Sequence, residues 1–207
     1  MNDPRTHLVA AGYDAMTDTW EAWQTQIAQD PREEWREELA ARVRPGGRVV
    51  ELGCGGGTAE TAALAERFEL VAVDLSQEQL RRARERVPRA TFLHADFTNL
   101  ELEPGSVDAV AAFYSFNHVP RDLLAGLFER IHGWLVPDGL LLTTLGASDL
   151  PEWTGEWLGV PMFFSGWDAD LNRRLLREAG FELERDEVVT IREPEGEVAF
   201  HWVLARR

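Results

Sequence analysis

The sequence contains no lysine: all 21 basic residues are arginines, set against 36 acidic residues, so the formal net charge is -15. This balance argues against a nucleic-acid partner, because phosphates are neutralised by basic side chains. It argues equally against binding to an anionic membrane. The absence of lysine also excludes catalysis through a lysine Schiff base.

Cysteine and long apolar runs are scarce as well. Cys54 is the only cysteine, which excludes an internal disulfide and a cysteine-rich zinc site. No apolar run approaches the roughly 20 residues of a membrane helix, and residues 1–12 lack the pattern of a secretory signal. From 207 residues with ordinary hydrophobic content we expect one soluble, cytoplasmic domain spanning residues 1–207.

Strand-like and helix-like segments alternate through residues 45–146. Short apolar runs at 48–53, 69–74, 90–96, 107–116 and 139–146 predict strands, and helical patterns lie at 58–68, 76–87 and 119–136. Alternation of this kind predicts an α/β fold with a parallel sheet covered on both faces. Pro137-Asp138-Gly139 is expected to end the last of these helices.

The flanking segments predict a cover and a tail. Residues 1–44 are interpreted as a helical cover, with helices at 12–29 and 31–43; the first has an apolar face formed by Tyr13, Met16, Trp20, Trp23 and Ile27. Residues 147–167 are rich in aromatic residues without a clear period and are interpreted as an insertion over the pocket. Residues 168–207 predict a helix and an antiparallel hairpin.

The sharpest motif is a strand, a glycine cluster and a helix, followed by an acidic residue at the end of the next strand. Glycines 53, 55, 56 and 57 allow a ligand to approach the backbone at a helix start, and Asp74 lies 21 residues after Gly53. A carboxylate at this place can bind the hydroxyls of a ribose, so the motif predicts a nucleoside site.

Two features separate this motif from a dinucleotide fingerprint. Thr58 stands where GxGxxG has its third glycine, and Glu51 lies two residues before Gly53. A carboxylate there would repel a pyrophosphate and would favour a ligand that carries an ammonium and a sulfonium. S-adenosylmethionine has both groups and a ribose for Asp74.

With these motifs, the segments ELGCGGGT, VAVDL, HADF and VDAVAAFYSFNHVP resemble the class I S-adenosylmethionine-dependent methyltransferases of the small-molecule type. The resemblance implies a Rossmann-like, mostly parallel sheet of seven strands in the order 3-2-1-4-5-7-6, with strand 7 antiparallel. It implies S-adenosylmethionine as cofactor. No metal is expected, because the acidic metal cluster of catechol-type relatives is missing from this sequence. The resemblance covers about residues 10–145.

Cofactor roles follow from the same resemblance. Glu51, Gly53 and Gly55 would line the methionine part, with Cys54 contributing its backbone. Asp74 would bind the ribose, Leu75 and Phe97 would contact the adenine, and Asp96 would meet its amino group. Ala112 and Phe113 would flank the methionine part, and Tyr13 would lie over its carboxylate. Asp96 as a cap, Phe97 as a core residue and Tyr13 as part of an apolar helix face remain open.

The acceptor side is less defined by the sequence. His118 follows the fourth strand and could act as a general base with a pKa near the usual imidazole value of about 6.5, or could be structural. Asn117 could orient an acceptor or cap the next helix. Five aromatic residues are expected to form an apolar acceptor pocket: Trp20, Trp23, Trp157, Phe163 and Trp167.

These observations predict methyl transfer to a small molecule at oxygen, nitrogen or carbon, and leave the oligomeric state open. A nicotinamide-dependent oxidoreductase on a similar sheet is one alternative. A cofactor-binding relative that catalyses a non-methyl reaction is another, because cofactor motifs report binding and not turnover. A nucleic-acid or protein methyltransferase is disfavoured by the charge.

Overall fold

The alternating segments form the parallel part of a seven-stranded sheet. The computed structural model describes residues 3–207, with nine strands: β1 Arg48–Leu52, β2 Glu69–Asp74, β3 Thr91–His94, β4 Val107–Ala112, β5 Leu135–Gly146, β6 Leu150–Trp157, β7 Val160–Gly166, β8 Glu182–Glu193 and β9 Gly196–Arg206. The sheet order is β3-β2-β1-β4-β5-β9-β8, and β9 runs antiparallel to both of its neighbours. Because β6 and β7 pair separately, β8 and β9 are the sixth and seventh strands of the sheet, and the expected order is confirmed.

Helices cover both faces of this sheet. They are α1 Pro4–Gln24, α2 Arg32–Arg42, α3 Ala59–Arg67, α4 Gln77–Arg86, α5 Arg121–Trp134 and α6 Ala169–Glu178. The core on one face includes residues of α2, α3 and α4, and the core on the other includes residues of α5 and α6. Neighbouring strand residues alternate between the two cores, so Val49 lies in the first and Val50 in the second. None of these helices is long and apolar enough to cross a membrane.

Several helix and strand boundaries differ from the sequence expectation, among them the end of β4 at Ala112 instead of residue 116. α1 starts at Pro4 because Asp3 accepts the Arg5 N–H at 2.8 Å, and it ends at Gln24 instead of continuing to residue 29. α5 starts at Arg121 rather than 119, after a short 3-10 helix, Phe116–His118. Pro137-Asp138-Gly139 does not end that helix but lies within β5, where the pairing with β4 shifts register.

The aperiodic segment at 147–167 contains the hairpin β6–β7. Leu158 and Gly159 connect its strands, both with positive φ (51° and 83°), as tight hairpin turns require. The hairpin packs on α1 through Met162 and Phe163. Gly12 allows this close approach, since an added Cβ would lie 2.6 Å from the Met162 side chain and 3.1 Å from the Pro161 carbonyl oxygen.

Candidate cofactor and acceptor site

A cavity of about 510 Å³ lies at the carboxyl ends of the parallel strands, beneath α1 and the β6–β7 hairpin. This is where ligands bind in open α/β sheets. The volume is within the usual range for a small-molecule site, roughly 300–1,000 Å³. Most candidate site residues line it: Tyr13, Trp20, Trp23, Glu51, Gly53, Cys54, Gly55, Asp74, Leu75, Asp96, Phe97, Phe113, Asn117, His118 and Trp157.

The glycine turn after β1 leaves no room for a side chain. Gly53 has φ of 79°, and an added Cβ would lie 2.3 Å from the Cβ of Ser115. Ser115 is held there because its hydroxyl donates to the Leu52 carbonyl oxygen at 2.7 Å. The turn is fixed from the other side by the Val73 carbonyl oxygen, which accepts the N–H groups of Gly53 and Cys54. Gly53 therefore brings bare backbone to the cavity wall.

Asp74 is held at the end of β2 by backbone donors. Its two oxygens accept the N–H groups of Gly55 at 2.8 Å and Ser76 at 2.9 Å. Burial raises the pKa of Asp74, and these two hydrogen bonds oppose the rise. The carboxylate is thereby fixed in orientation and still lines the cavity, where its remaining lone pairs can accept from hydroxyls.

Glu51 is the most deeply buried carboxyl group of the cavity. It is 2% exposed, and its Oε1 accepts the Thr61 hydroxyl at 3.2 Å. Its Oε2 has no hydrogen-bond partner within residues 3–207. Burial raises the pKa of Glu51 to about 8. A positively charged ligand group at this oxygen would offset the cost of burying the charge and favour the ionised form.

Asp96 and Phe97 follow β3 and lie at the start of a short 3-10 helix. Asp96 caps the short 3-10 helix Phe97–Asn99, since its Oδ1 accepts the Thr98 N–H at 2.8 Å. The Asn99 amide donates to the other oxygen at 2.8 Å. Both residues also line the cavity. Asp96 therefore caps the 3-10 helix and lines the cavity as well, and its contact with the adenine amino group stays a prediction.

His118 forms a hydrogen-bonded pair with Tyr13 across the cavity. The Tyr13 hydroxyl and His118 Nε2 are 2.8 Å apart, and His118 Nδ1 is 2.8 Å from the Phe163 carbonyl oxygen. A carbonyl only accepts, so Nδ1 carries the hydrogen and Nε2 accepts the tyrosine O–H. Burial lowers the pKa of His118 to about 4, well below the value near 6.5 expected from sequence, and raises that of Tyr13. The imidazole is therefore neutral at pH 7, and its Nε2 lone pair is occupied by the tyrosine hydroxyl.

Aromatic rings form one wall of the cavity. Trp20 stacks on Trp23 with ring centres 5.2 Å apart, and Trp157 of β6 lies 5.5 Å from both. Trp23 Nε1 donates to both carboxylate oxygens of Glu195 at 3.0 Å, which ties α1 to the β8–β9 turn. This wall is apolar and lies on the cover rather than on the sheet.

Three predicted site residues are not on the cavity. Ala112 is buried in the core beneath the sheet. The Phe163 side chain packs between β7 and α1, and the next residue, Phe164, lines the cavity instead. Trp167 lies outside the cavity. The guanidinium of Arg121 stacks over its ring, 3.8 Å from the ring centre. Asn117 does line the cavity but does not cap α5, whose start follows Pro120.

Several cavity residues were missed at the sequence level. Arg32 of α2 is the only arginine on the cavity wall within the described part of the chain, and it pairs with Asp30 at 2.7 Å. Glu193 and Glu197 reach the cavity from β8 and β9. Burial and the nearby charge of Glu195 raise the pKa of Glu193 to about 7. No local motif marks these residues, because each comes from an element distant in sequence from the glycine turn.

The residues at the cavity fit S-adenosylmethionine. Asp74 offers acceptors to a ribose diol, and the unpartnered Oε2 of Glu51 matches a cationic amino-acid end. The start of α3 is less suited to a pyrophosphate, since Thr58 and Thr61 form a capping box there, with Glu51 bonded to Thr61. Fold and site together are similar to those of the class I S-adenosylmethionine-dependent methyltransferases.

Comparison with known proteins agrees with this class. Residues 49–139 match the family described as "Methyltransferase domain". A trans-aconitate 2-methyltransferase of Afipia carboxidovorans is 32% identical over 127 residues, which are 59% of this chain and 48% of the relative. The chain spans about half the length of the curated relatives it matches.

Solved structures share the fold at low identity. A Burkholderia thailandensis 1,6-didemethyltoxoflavin-N1-methyltransferase, solved with its acceptor and S-adenosylhomocysteine, superposes with a TM-score of 0.73 at 21% identity, covering 100% of this chain and 91% of that one. The [4+2]-cyclase SpnF superposes with a TM-score of 0.71 at 17% identity, covering 96% and 95%. The fold therefore occurs in proteins named for different reactions, and the reaction has to be argued from the site.

Proposed function

We propose that the protein transfers a methyl group from S-adenosylmethionine to a small neutral or cationic acceptor. The observation that carries this proposal is one cavity that joins the cofactor-type carboxylates Glu51 and Asp74 to the Tyr13–His118 pair. When bound, S-adenosylmethionine supplies an electrophilic methyl group on sulfur. The chain's own residues must hold the acceptor, exclude water and accept a proton.

Binding of the two reactants is assigned to different walls. Glu51, Gly53, Cys54 and Gly55 would bind the methionine part, with Tyr13, Phe113 and Arg32 nearby. Asp74, Leu75, Asp96 and Phe97 would bind the nucleoside. The acceptor would lie between the wall of Trp20, Trp23, Trp157 and Phe164 and the end of β4, where Asn117 offers an unpartnered Oδ1. Alignment in such a closed site can supply roughly 7–11 kcal/mol of the barrier.

Proton removal is assigned to the Tyr13–His118 pair. An acceptor hydroxyl or ammonium would pass its proton to the tyrosine oxygen while the tyrosine hydrogen moves to His118 Nε2. The bond from Nδ1 to the Phe163 carbonyl oxygen fixes the ring, so that Nε2 faces the tyrosine hydroxyl. Because burial lowers the pKa of His118 to about 4, this relay needs an acceptor whose own proton becomes strongly acidic as the methyl group is transferred. A positioned base contributes about 10²- to 10⁴-fold to a rate.

The acceptor's charge follows from the cavity's charges. Within residues 3–207 five carboxyl groups line it, Glu51, Asp74, Asp96, Glu193 and Glu197, against Arg32, which already pairs with Asp30. Burial raises the pKa of Glu51 to about 8 and that of Glu193 to about 7, so the negative field at neutral pH rests mainly on Asp74, Asp96 and Glu197. An anionic acceptor would enter this field at a cost. Although trans-aconitate 2-methyltransferases are among the relatives in sequence, this chain's acceptor end favours an amine or a neutral hydroxyl compound.

The proposal is tested in two steps. Thermal shifts with S-adenosylhomocysteine and with NAD come first; stabilisation by NAD alone would favour the oxidoreductase alternative.

In the second step the protein is incubated with S-adenosylmethionine and aromatic compounds matched in size that carry an amine, a hydroxyl or a carboxylate. We expect S-adenosylhomocysteine release with the amine or hydroxyl members and slower release with His118→Asn. Cofactor binding without methyl transfer to any member would support the non-methyl alternative, and preference for the carboxylate would contradict the charge argument. The cytoplasmic location remains a prediction from the sequence.

A further inference from the structure

Gln79 has a buried amide that the protein itself does not satisfy. It lies in the first turn of α4, where the Ser76 hydroxyl accepts its backbone N–H at 3.1 Å. The residue is 1% exposed. Within residues 3–207 neither Oε1 nor Nε2 of its side chain has a hydrogen-bond partner. Leaving a buried polar group unpaired is costly, so an amide retained here needs another partner.

The amide lies on the cavity, beside the glycine turn. Gln79 lines the cavity, and its Oε1 would be 3.0 Å from a Cβ placed on Gly56 and 3.7 Å from one placed on Gly55. Gly55 is the residue whose N–H donates to Asp74 at 2.8 Å. The glutamine amide and the aspartate carboxylate thus flank the same stretch of turn. A ligand group that reaches Asp74 comes close to Gln79.

The two side chains offer complementary hydrogen bonds. An ionised carboxylate only accepts, so Asp74 can take the hydrogens of two hydroxyl groups but gives nothing to their oxygens. The glutamine Nε2 donates, and its Oε1 accepts. A vicinal diol could give one hydrogen to Asp74 and the other to Gln79 Oε1, and accept a hydrogen from Gln79 Nε2, so it would pair with both side chains.

We propose that Gln79 binds the ribose diol of the cofactor together with Asp74. This inference rests on the cofactor site of the proposed function and adds a residue that the motifs did not indicate. Gln79 acts on binding alone and takes no part in the transfer. In this assignment the buried amide is satisfied by the ribose hydroxyls and not by the adenine or the methionine part.

The test compares Gln79→Met with wild type by calorimetry of S-adenosylhomocysteine binding. Methionine keeps the unbranched shape and removes the amide. We expect affinity to fall by about 3- to 10-fold, the effect of one ordinary hydrogen bond. Gln77→Met, an exposed change in the same turn of α4, is the matched control and should bind like wild type. Without ligand, the melting temperature of Gln79→Met should stay level or rise, because an unpaired buried amide is lost.

Analogues of S-adenosylhomocysteine that lack the 2′ or the 3′ hydroxyl identify the contact. In wild type each deletion should weaken binding, and in Gln79→Met one of them should weaken it less. Wild-type affinity in Gln79→Met would overturn the assignment of Gln79. The assignment would also be overturned if each hydroxyl deletion weakened binding as much in Gln79→Met as in wild type. A variant that melts well below wild type without ligand would make the amide structural and overturn it as well. Wild-type protein that binds no S-adenosylhomocysteine would overturn the cofactor site itself.

Discussion

The buried imidazole of His118 should make the protein sensitive to mild acid. In the unfolded chain this group titrates near 6.5, whereas burial lowers its folded pKa to about 4. A depressed histidine pKa means that the unfolded state takes up the proton first. Stability is therefore complete above pH 6.5 and is lost as the pH falls toward 4.

The magnitude follows from the pKa difference. At about 1.4 kcal/mol per pH unit, the full loss is about 3 kcal/mol. Between pH 7.5 and 5.0 it is about 2 kcal/mol, because protonation of the folded state has barely begun. Water reaching the imidazole through the cavity would make the loss smaller. Against a typical stability of about 5–15 kcal/mol, the effect is readily measured.

The assay is urea unfolding at pH 7.5 and 5.0 for wild type and His118→Asn. Asparagine can still donate to the Phe163 carbonyl oxygen but does not titrate. The comparison uses the change in the free energy of unfolding between the two pH values, so a different stability of His118→Asn at pH 7.5 does not affect it. His7→Asn, at an exposed position on α1, is the control and should keep the wild-type slope. If His118→Asn loses as much stability as wild type between the two pH values, the imidazole is not buried neutral and the reasoning is refuted.

Three further outcomes are expected. Asp74→Ala should weaken S-adenosylhomocysteine binding by about 10- to 100-fold in calorimetry, because a charged acceptor is lost; unchanged affinity in a folded variant would remove Asp74 from the ribose site. Glu51→Gln should raise the melting temperature of the ligand-free protein at pH 7.5 and should weaken cofactor binding. The folded pKa of about 8 lies above the ordinary glutamate value of 4.5, so the wild type loses stability as the pH rises between these values. Amide exchange in residues 4–24 and 150–166 should slow when S-adenosylhomocysteine binds; equal protection in both states would make the cover a fixed wall.

The parallel sheet and the glycine turn could be predicted because their signals are local. Continuous apolar runs separated by helical patterns indicate buried parallel strands whatever the rest of the chain does. The positions of Gly53 and Asp74 then follow from strand ends that meet at one edge of the sheet. This is why most of the predicted cofactor residues line one cavity.

The acceptor end was predicted less well because its geometry depends on distant segments. Without a recognised strand at 160–166 there was no basis for choosing between Phe163 and Phe164, and adjacent residues of a strand point to opposite faces. Arg32 and Glu193 come from α2 and β8, and no spacing rule connects them to the glycine turn. Gln79 carries no signal in sequence, since an unpaired amide is visible only when its surroundings are known.

α1 connects the two halves of the site through adjacent residues. Asp14 accepts the Glu78 N–H at 3.1 Å and the Ser76 hydroxyl, which fixes the helix to the turn that carries Asp74. Tyr13, the preceding residue, bonds to His118 at the end of β4. Neighbouring residues on a helix point about 100° apart, so one helical turn can contact both strand ends. A displacement of α1 would therefore disturb the turn that carries Asp74 and the Tyr13–His118 hydrogen bond together.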